Sequence, residues 1–388
     1  MAEPNVRGSD VPTTPPLPAP YAARIQEMQE RLRSGEFTLD GMPGYVPGEP
    51  PSIETWHHMD YLDISPRIWG REVGCNGIGT LREVALVEIT PNERFELRDR
   101  DPAYFPRMGL AHEELDTGRM RDQSLEYQAA LESAGVAVHR VAFPDPPVGA
   151  FGPLRGTWAA NELFVIRGGS VIEKLAVSPF GFGRAEYLAL WAWTQLGVPI
   201  QAAITGTGVA EGAAGVFLAD DVYVVGRGIA FNQEGLDQLL PIIQRSSGLP
   251  PEAFHSVVFD CPGNIYFDPG AGTSHHTDMV IGPLDVDKVI VYAAGLTFPV
   301  WRWLKERGYQ IVEVERDEQV RFAPANVTIL EPGRVIMHAE ATNAVAAVRK
   351  LGVDVIEVPY SEFLRTGGGL HCSTMFVERD RGPLSTDR

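Results

Sequence analysis

The residues best suited to chemistry lie near the end of the chain, in the segment GGGLHCST (367–374). Three glycines let the backbone approach a ligand closely because they carry no side chain. Cys372 follows them and opens a β-prone run, STMFV (373–377). A thiolate at the start of a rigid strand is a candidate covalent nucleophile. A lone cysteine after a turn is also commonly a buried structural residue, so this segment leaves both interpretations open.

Other ionisable or amide side chains recur at one kind of place, directly before an apolar run. They are Asn161 with Glu162, Asp220 with Asp221, His276 with Asp278, Asn326, and His371 with Cys372. Taken singly, an aspartate there often caps a turn, and a lone histidine is commonly a hydrogen-bonded loop residue. Independent turn signals have no reason to include both a cysteine and a histidine. The coincidence therefore indicates one shared site.

A repeated module carries these residues. From about residue 76, a strand hairpin, a helix, a glycine and a further short strand recur five times. The first four hairpins are predicted at 161–172, 221–231, 278–292 and 326–340, and their helices at 183–196, 233–245, 298–307 and 342–351. The fifth unit is split between 371–379 at the C-terminus and 79–89, with its helix at 122–134.

Five such modules predict a radial or stacked repeat architecture. The split last unit favours a closed ring, since joining the two ends of the repeated region leaves no open sheet edge. The alternative is an ordinary mixed α/β fold. Ahead of the modules, we predict a disordered arm at 1–20 from its proline content. We also predict an N-terminal extension at 21–75, with a helix at 22–34, and one catalytic domain at 76–388.

Composition narrows the class of protein. The chain has 388 residues and a net charge of -18, which argues against nucleic acid and anionic membranes as partners. The first residues lack the pattern of a signal peptide, and no apolar run reaches membrane-spanning length. These features predict a cytoplasmic protein whose partner is a small-molecule substrate, and they leave a homo-oligomer open.

The cysteines do not form a metal-binding pattern. Cys75, Cys261 and Cys372 lie far apart without a CxxC or CxxH spacing, so the sequence predicts neither a zinc site nor a disulfide framework. Nothing in the sequence indicates another metal or an organic cofactor. Any catalysis is therefore expected to come from the side chains.

The residue types suggest a reaction. Carboxylates near the axis of a ring would bind a planar cation through paired hydrogen bonds. Cys372 would attack its central carbon, and His276 would protonate the departing nitrogen and then activate the incoming nucleophile. A protonated His276 beside Cys372 would also favour the thiolate. Asp278, two residues along the same predicted strand, would share a face with His276 and orient the imidazole or hold the substrate.

These motifs resemble those of the guanidino-group-modifying enzyme superfamily, most closely its glycine amidinotransferase branch. GGGLHCST resembles that branch's nucleophile segment, His276-Thr277-Asp278 its His-x-Asp motif, and FLADD (217–221) its carboxylate strand. The resemblance implies a five-bladed α/β propeller with pseudo-fivefold symmetry, the pentein fold. It also implies catalytic roles for Cys372, His276 and Asp278. The substrate-binding candidates are Glu162, Asp221, Asn161 and Asn326.

The chain departs from that branch at three places, one of which is Pro324 where the branch has a serine before the fourth strand. Asn161-Glu162 stands where the branch has Arg-Asp, and 293–299 contains no cation ahead of Arg302 where amidinotransferases hold the substrate's carboxylate. We therefore expect a cysteine hydrolase acting on a compact guanidine-like substrate, for example 2-nitroimidazole with release of nitrite. The alternatives are an amidinotransferase that moves the amidino group of arginine to an amine, an arginine deiminase or dihydrolase, and a non-enzymatic interaction platform.

Overall fold

The computed structural model describes 44–54, 58–89, 116–143, 162–174, 183–261, 276–365 and 368–387, with scattered residues between 23 and 35. The described residues between 23 and 33 are helical, which agrees with the helix predicted at 22–34. The predicted arm at 1–20 lies outside the described residues. The boundaries of the extension and of the catalytic domain stay predictions.

The described residues form short strands joined by helices. The strands are β1 (Leu81–Val87), β2 (Ala137–Val141), β3 (Leu163–Ile166), β4 (Gly169–Ile172), β5 (Ile200–Ala203), β6 (Val216–Ala219), β7 (Val222–Arg227), β8 (His255–Asp260), β9 (Ile281–Asp285), β10 (Lys288–Val291), β11 (Gln310–Glu313), β12 (Thr328–Glu331), β13 (Arg334–His338), β14 (Asp354–Val358) and β15 (Thr374–Arg379). The α-helices are α1 (Tyr61–Trp69), α2 (Thr117–Ser133), α3 (Arg184–Trp191), α4 (Gln233–Ser247), α5 (Phe298–Glu306), α6 (Arg316–Phe322), α7 (Thr342–Lys350) and α8 (Ser361–Leu364).

These strands make five three-stranded sheets, ordered β3-β4-β5, β6-β7-β8, β9-β10-β11, β12-β13-β14 and β15-β1-β2. In each sheet the first two strands pair antiparallel and the third pairs parallel to the middle one. A parallel pair needs a crossover connection, which explains the helix between the second and third strands of every unit. The split fifth unit is confirmed, since β15 at the C-terminus pairs with β1.

Turn chemistry explains why most hairpins were predictable. Gly168 between β3 and β4 has φ 95°, and Gly333 between β12 and β13 has φ 81°, a left-handed conformation that glycine adopts without a steric penalty. The hairpins predicted at 161–172, 278–292 and 326–340 are confirmed in the described residues. The helices predicted at 183–196, 233–245, 298–307 and 342–351 are also present, the first continuing as a π-helix over Ala192–Leu196.

The prediction for the second hairpin was wrong in register. Its strands are β6 and β7, and Asp220-Asp221 forms the turn between them instead of beginning the first strand. Two consecutive aspartates favour a turn because their side chains hydrogen-bond to nearby backbone. The segment 228–231, predicted as the second strand of this hairpin, instead follows β7 as a bend and an isolated bridge at Phe231.

The first strands of the five sheets line a narrow central cavity of about 60 Å³. Each sheet contributes lining residues, exemplified by Val165, Phe217, Ile281, Ile329 and Thr374. Neighbouring sheets contact one another through first strands at three places, β15 against β3, β6 against β9 and β9 against β12, and β12 also contacts β1, the middle strand of the fifth sheet. Asp278 and His371, which precede β9 and β15, also line this cavity. None of the helices in the described part of the chain is both long and apolar enough to cross a membrane.

Tyr127 of α2 ties the fourth and fifth sheets together. Its fully buried hydroxyl hydrogen-bonds with the hydroxyls of Thr328 at 2.7 Å and Thr374 at 2.9 Å. We expect Tyr127→Phe to lower the free energy of unfolding by about 1–2 kcal/mol, because buried hydroxyls lose their partner. Tyr187→Phe is the control, since its hydroxyl makes one bond to Ala142 O on a partly exposed side chain. Equal urea midpoints for the two variants would contradict this role.

Candidate active site

Cys372 lies on a short 3-10 helix, His371–Ser373, directly before β15. Its side chain is buried at 6% exposure, and its backbone N–H donates to Asn326 Oδ1 at 3.2 Å. A Cβ at Gly369 would approach Asn326 Oδ1 to 2.7 Å and the ring of His338 to 2.5 Å. Gly369 is therefore needed for close packing of protein against protein. We had expected the glycines to make room for a ligand.

The Cys372 thiol lies among acceptor and donor groups. Its Sγ is 3.2 Å from Asp278 Oδ2, 3.1 Å from Asn326 Nδ2 and 3.5 Å from Met279 Sδ. Burial raises the pKa of Cys372 well above its usual value, and the Asp278 charge raises it further. The resting group is therefore a thiol that donates to Asp278. We had expected a protonated His276 to favour the thiolate, but the charged group bonded to Sγ is a carboxylate.

Asp278 collects three donors on one oxygen. Its Oδ2 accepts from His371 Nδ1 at 2.9 Å, from Asn326 Nδ2 at 3.0 Å and from the Cys372 thiol. Burial alone would raise the pKa of Asp278, but the hydrogen bond and charge of His371, with the charge of His276, lower it overall. Asp278 is thus an ionised, 2% exposed carboxylate placed to receive the thiol proton.

His276 is held by a carboxylate that we did not predict. Its Nε2 lies 2.7 Å from Oε2 of Glu211, which is 5% exposed. Burial lowers the pKa of His276, but the hydrogen bond and charge of Glu211, with the charges of Asp278 and Glu162, raise it above its usual value. Because Thr277–Met279 is a 3-10 helix, His276 and Asp278 do not share a strand face. Glu211, and not Asp278, orients the imidazole.

This pair predicts a pH dependence of stability. The raised pKa of His276 stabilises the fold fully below its usual value of 6.5, and this contribution is lost as pH rises through the higher folded-state pKa. We expect Glu211→Gln to lower the ring's pKa. The stability deficit of the variant should be largest between about pH 5 and 6.5 and shrink at higher pH. Urea unfolding of both proteins across this range checks it, and a deficit that grows with pH would contradict it.

Two further carboxylates are buried before and after the first hairpin. Glu162 Oε1 lies 2.5 Å from Arg184 Nη2, the first residue of α3. Burial raises the pKa of Glu162 to about 7 against the opposing charge of Arg184. Glu173, after β4, accepts from Ala213 N at 2.6 Å, and burial raises its pKa well above the usual value. Glu162 and Glu211 interact electrostatically with each other and with His276, which places them around one volume.

Comparison with known proteins places this constellation in a family. The arginine deiminase family model matches residues 272–379, which include His276, Asp278, Asn326 and Cys372. The 2-nitroimidazole nitrohydrolase of Mycobacterium sp. (strain JS330) is 34% identical over 362 residues, 91% of this chain and 95% of that protein. The chain belongs to the guanidino-group-modifying enzyme superfamily. It is an enzyme of that superfamily, whose members hydrolyse or transfer groups at carbon–nitrogen bonds.

Solved structures of this superfamily share the fold. The N-terminal domain of a cyanobacterial arginine dihydrolase gives a TM-score of 0.59 at 16% identity, covering 78% of this chain and 99% of that one. An amidinotransferase from Microseira wollei gives 0.54 at 17% identity, covering 80% and 98%. At these identities the likeness concerns the α/β architecture alone.

The structure brings together most of the predicted site residues of this superfamily member, but not Asp221. Cys372, Asp278 and Asn326 are in direct contact, His276 is electrostatically coupled to Asp278, and Glu162 is coupled to His276. Asp221 lies in the β6–β7 turn, where its carboxylate accepts from Ser385 N at 2.7 Å and Ser385 Oγ at 2.6 Å. It is a structural link to the C-terminal segment, so its substrate-binding role is corrected. Asn161 lies outside the described residues.

Proposed function

We propose that this chain is a cysteine hydrolase that displaces a leaving group from the carbon between two nitrogens of a compact, guanidine-like ring, with 2-nitroimidazole as the substrate and nitrite as a product. The observation that carries the proposal is the Cys372 thiol, 3.2 Å from Asp278 Oδ2, in a site that also holds His276 paired with Glu211. The 34% identity to a nitrohydrolase supports the choice of substrate.

The first half-reaction forms a thioether. The thiol proton of Cys372 passes to Asp278 Oδ2 while Sγ bonds to C2 of the ring, and an electron pair moves onto a ring nitrogen. The imidazolium of His276 stabilises that pair. The pair then returns to the ring, the carbon–nitro bond breaks, and nitrite leaves with the bonding electrons. Nitrite is a weak base, so this departure does not require a proton donor.

The second half-reaction releases the ring. The His276 ring, 22% exposed, loses its proton to solvent and becomes a base. It takes a proton from water while the oxygen bonds to C2, and the carbon–sulfur bond then breaks. The departing sulfur recovers its proton from Asp278. The sum is 2-nitroimidazole plus water to imidazol-2-one, nitrite and a proton, with the enzyme returned to its initial state.

The residues around this chemistry fit the same proposal. Asn326 donates to both Asp278 and Cys372, so it fixes the distance between proton donor and acceptor. Within the architecture, we propose that the five sheets are blades of a closed ring, supported by the contacts of β15 with β3, β6 with β9, β9 with β12 and β12 with β1. The proposal includes catalysis by Cys372. On grounds of composition, it also includes a cytoplasmic location and the lack of a nucleic-acid or membrane partner.

Substrate choice is tested with a panel at equal concentration. We expect nitrite release from 2-nitroimidazole and little ornithine from arginine, because the described site contains no cation at 293–299 for an α-carboxylate and its Arg184 is paired with Glu162. An unpaired buried carboxylate is strongly disfavoured. Efficient ornithine formation from arginine, accelerated by an added amine, would replace the hydrolase with the amidinotransferase. When Cys372 is substituted in this assay, Cys261→Ala is the matched control, because it removes a cysteine that lies away from Asp278.

A further inference from the structure

The pair Glu162–Arg184 lies where the family resemblance predicts that a cationic substrate is held. Glu162 directly precedes β3, the counterpart of Cys372 before β15, and Arg184 opens α3, which packs on β3 and β4. Both side chains are nearly buried, at 9% and 12% exposure, with 2.5 Å between Glu162 Oε1 and Arg184 Nη2. The protein therefore supplies its own guanidinium to this carboxylate.

We propose that Arg184 determines the specificity of the site. Its guanidinium pairs with Glu162 in the place that a substrate guanidinium would take. The enzyme therefore selects neutral planar N–C–N rings over guanidinium cations. The inference rests on the proposed function for the identity of the ring. The selection against cations depends only on the Glu162–Arg184 pair, so it can be tested by binding measurements without turnover.

The charge balance of the site supports this selection. Its three ionisable carboxylates each have a basic partner: Glu162 has Arg184, Glu211 has His276, and Asp278 has His371. Burial raises the pKa of Glu173 well above the usual value, which disfavours its charged form. A guanidinium ion entering this site would have to displace Arg184 from Glu162 and leave a buried cation without its counterion. That exchange is unfavourable because desolvated charges need their partners.

The pair also leaves complementary atoms without a partner among the described residues. Glu162 Oε2 is a buried acceptor, and Arg184 Nε is a buried donor. Buried polar atoms of this kind are normally satisfied by a protein group, water or ligand. A neutral imidazole carrying a nitro group offers both complements side by side, a ring N–H for the carboxylate and a nitro oxygen for the guanidinium. Arginine offers donors alone at its reacting end.

The experiment measures binding by calorimetry, with methylguanidinium as the cationic probe and imidazol-2-one as the neutral probe. Wild-type protein should prefer imidazol-2-one. Arg184→Gln frees the carboxylate, so it should bind methylguanidinium on the order of tenfold more tightly than wild type and imidazol-2-one more weakly. Arg184→Lys keeps the charge and should keep the wild-type preference.

Two further variants complete the design. The double variant Glu162→Gln with Arg184→Gln carries neither charge and should lose the gained affinity for methylguanidinium, which also provides a readout if Arg184→Gln alone does not fold. Arg302→Gln is the control, since Arg302 is 61% exposed and pairs with Glu306 on α5. Methylguanidinium binding that is equal in wild type and Arg184→Gln would overturn the inference, as would tight binding by the double variant.

Nitrite release is measured in parallel and separates the two proposals. Nitrite production by wild type without any gain of cation binding in Arg184→Gln overturns the inference and leaves the proposed function standing. A gain of cation binding in Arg184→Gln without nitrite production by wild type supports the selection against cations and overturns 2-nitroimidazole as the substrate.

Discussion

Cys372→Ala is expected to lower nitrite release by at least about 10³-fold, because Cys372 is the nucleophile that hydrogen-bonds to Asp278 among the described residues. The fold should persist, since the side chain lies at one end of the central cavity among Met279 and Ala323 and contributes a small part of the core. The measurement is nitrite production under saturating 2-nitroimidazole, with circular dichroism and a urea transition to establish folding.

Two controls make this result specific to the thiol. Cys261→Ala removes a cysteine at the end of β8, where it lies close to the backbone of Gly226 and Gly228, and should leave activity unchanged. Cys372→Ser tests nucleophilicity at nearly constant volume and should be as inactive as Cys372→Ala. Retention of more than a few per cent of activity by a folded Cys372→Ala would remove the covalent mechanism.

His276→Ala is expected to divide the reaction into its two halves. The first half should still give nitrite, up to about one per active site, because nitrite needs no proton to leave. The second half should slow by about 10²–10⁴-fold, the range for loss of a general base. Rapid-mixing measurements of nitrite would show a burst followed by a very slow steady rate. A variant that loses substrate binding and shows no burst would make His276 a positioning residue.

A matched histidine is available as the control for this experiment. His139 of β2 also pairs through Nε2 with a carboxylate, Glu83, at 2.7 Å, but it lies on the fifth sheet away from Cys372. His139→Ala should therefore cost stability without changing the ratio of burst to steady rate. Equal kinetic effects of the two substitutions would indicate that loss of a histidine–carboxylate pair, and not loss of a base, explains the result.

The fold was predictable because the sequence of each module contains the local signals for its strands, turn and helix. Apolar runs around Gly168 and Gly333 mark hairpins, and the amphipathic segments that follow them mark crossover helices. The prediction for the second module placed the hairpin turn at 226–228 and was wrong. In FLADDVYVV, the two aspartates form the turn and the apolar runs on each side of them are the two strands. That error moved Asp221 into the site, and a turn assignment based on Asp220-Asp221 would have excluded it.

Glu211 and Arg184 were not predicted, for a different reason. Glu211 precedes β6 by several residues within an Ala/Gly-rich stretch, and Arg184 opens a helix after a hairpin. Neither belongs to a local motif, and their partners lie 65 and 22 residues away along the chain. The Glu211–His276 pair joins two modules, and the Glu162–Arg184 pair joins the start of a strand to a helix of one module, so both depend on the packing of separate elements, which a single sequence does not specify. Cys372, His276 and Asp278 were found because chemistry and spacing coincide within short segments.

The central claim is that Cys372 forms a covalent bond to the ring carbon. Intact-protein and peptide mass spectrometry of His276→Ala, quenched after one nitrite per active site, tests it most directly. The mechanism predicts one added imidazol-2-yl group, the mass of 2-nitroimidazole less that of nitrous acid, on the peptide that contains Cys372. Nitrite release without any adduct, or with the adduct on Cys75 or Cys261, would contradict the mechanism.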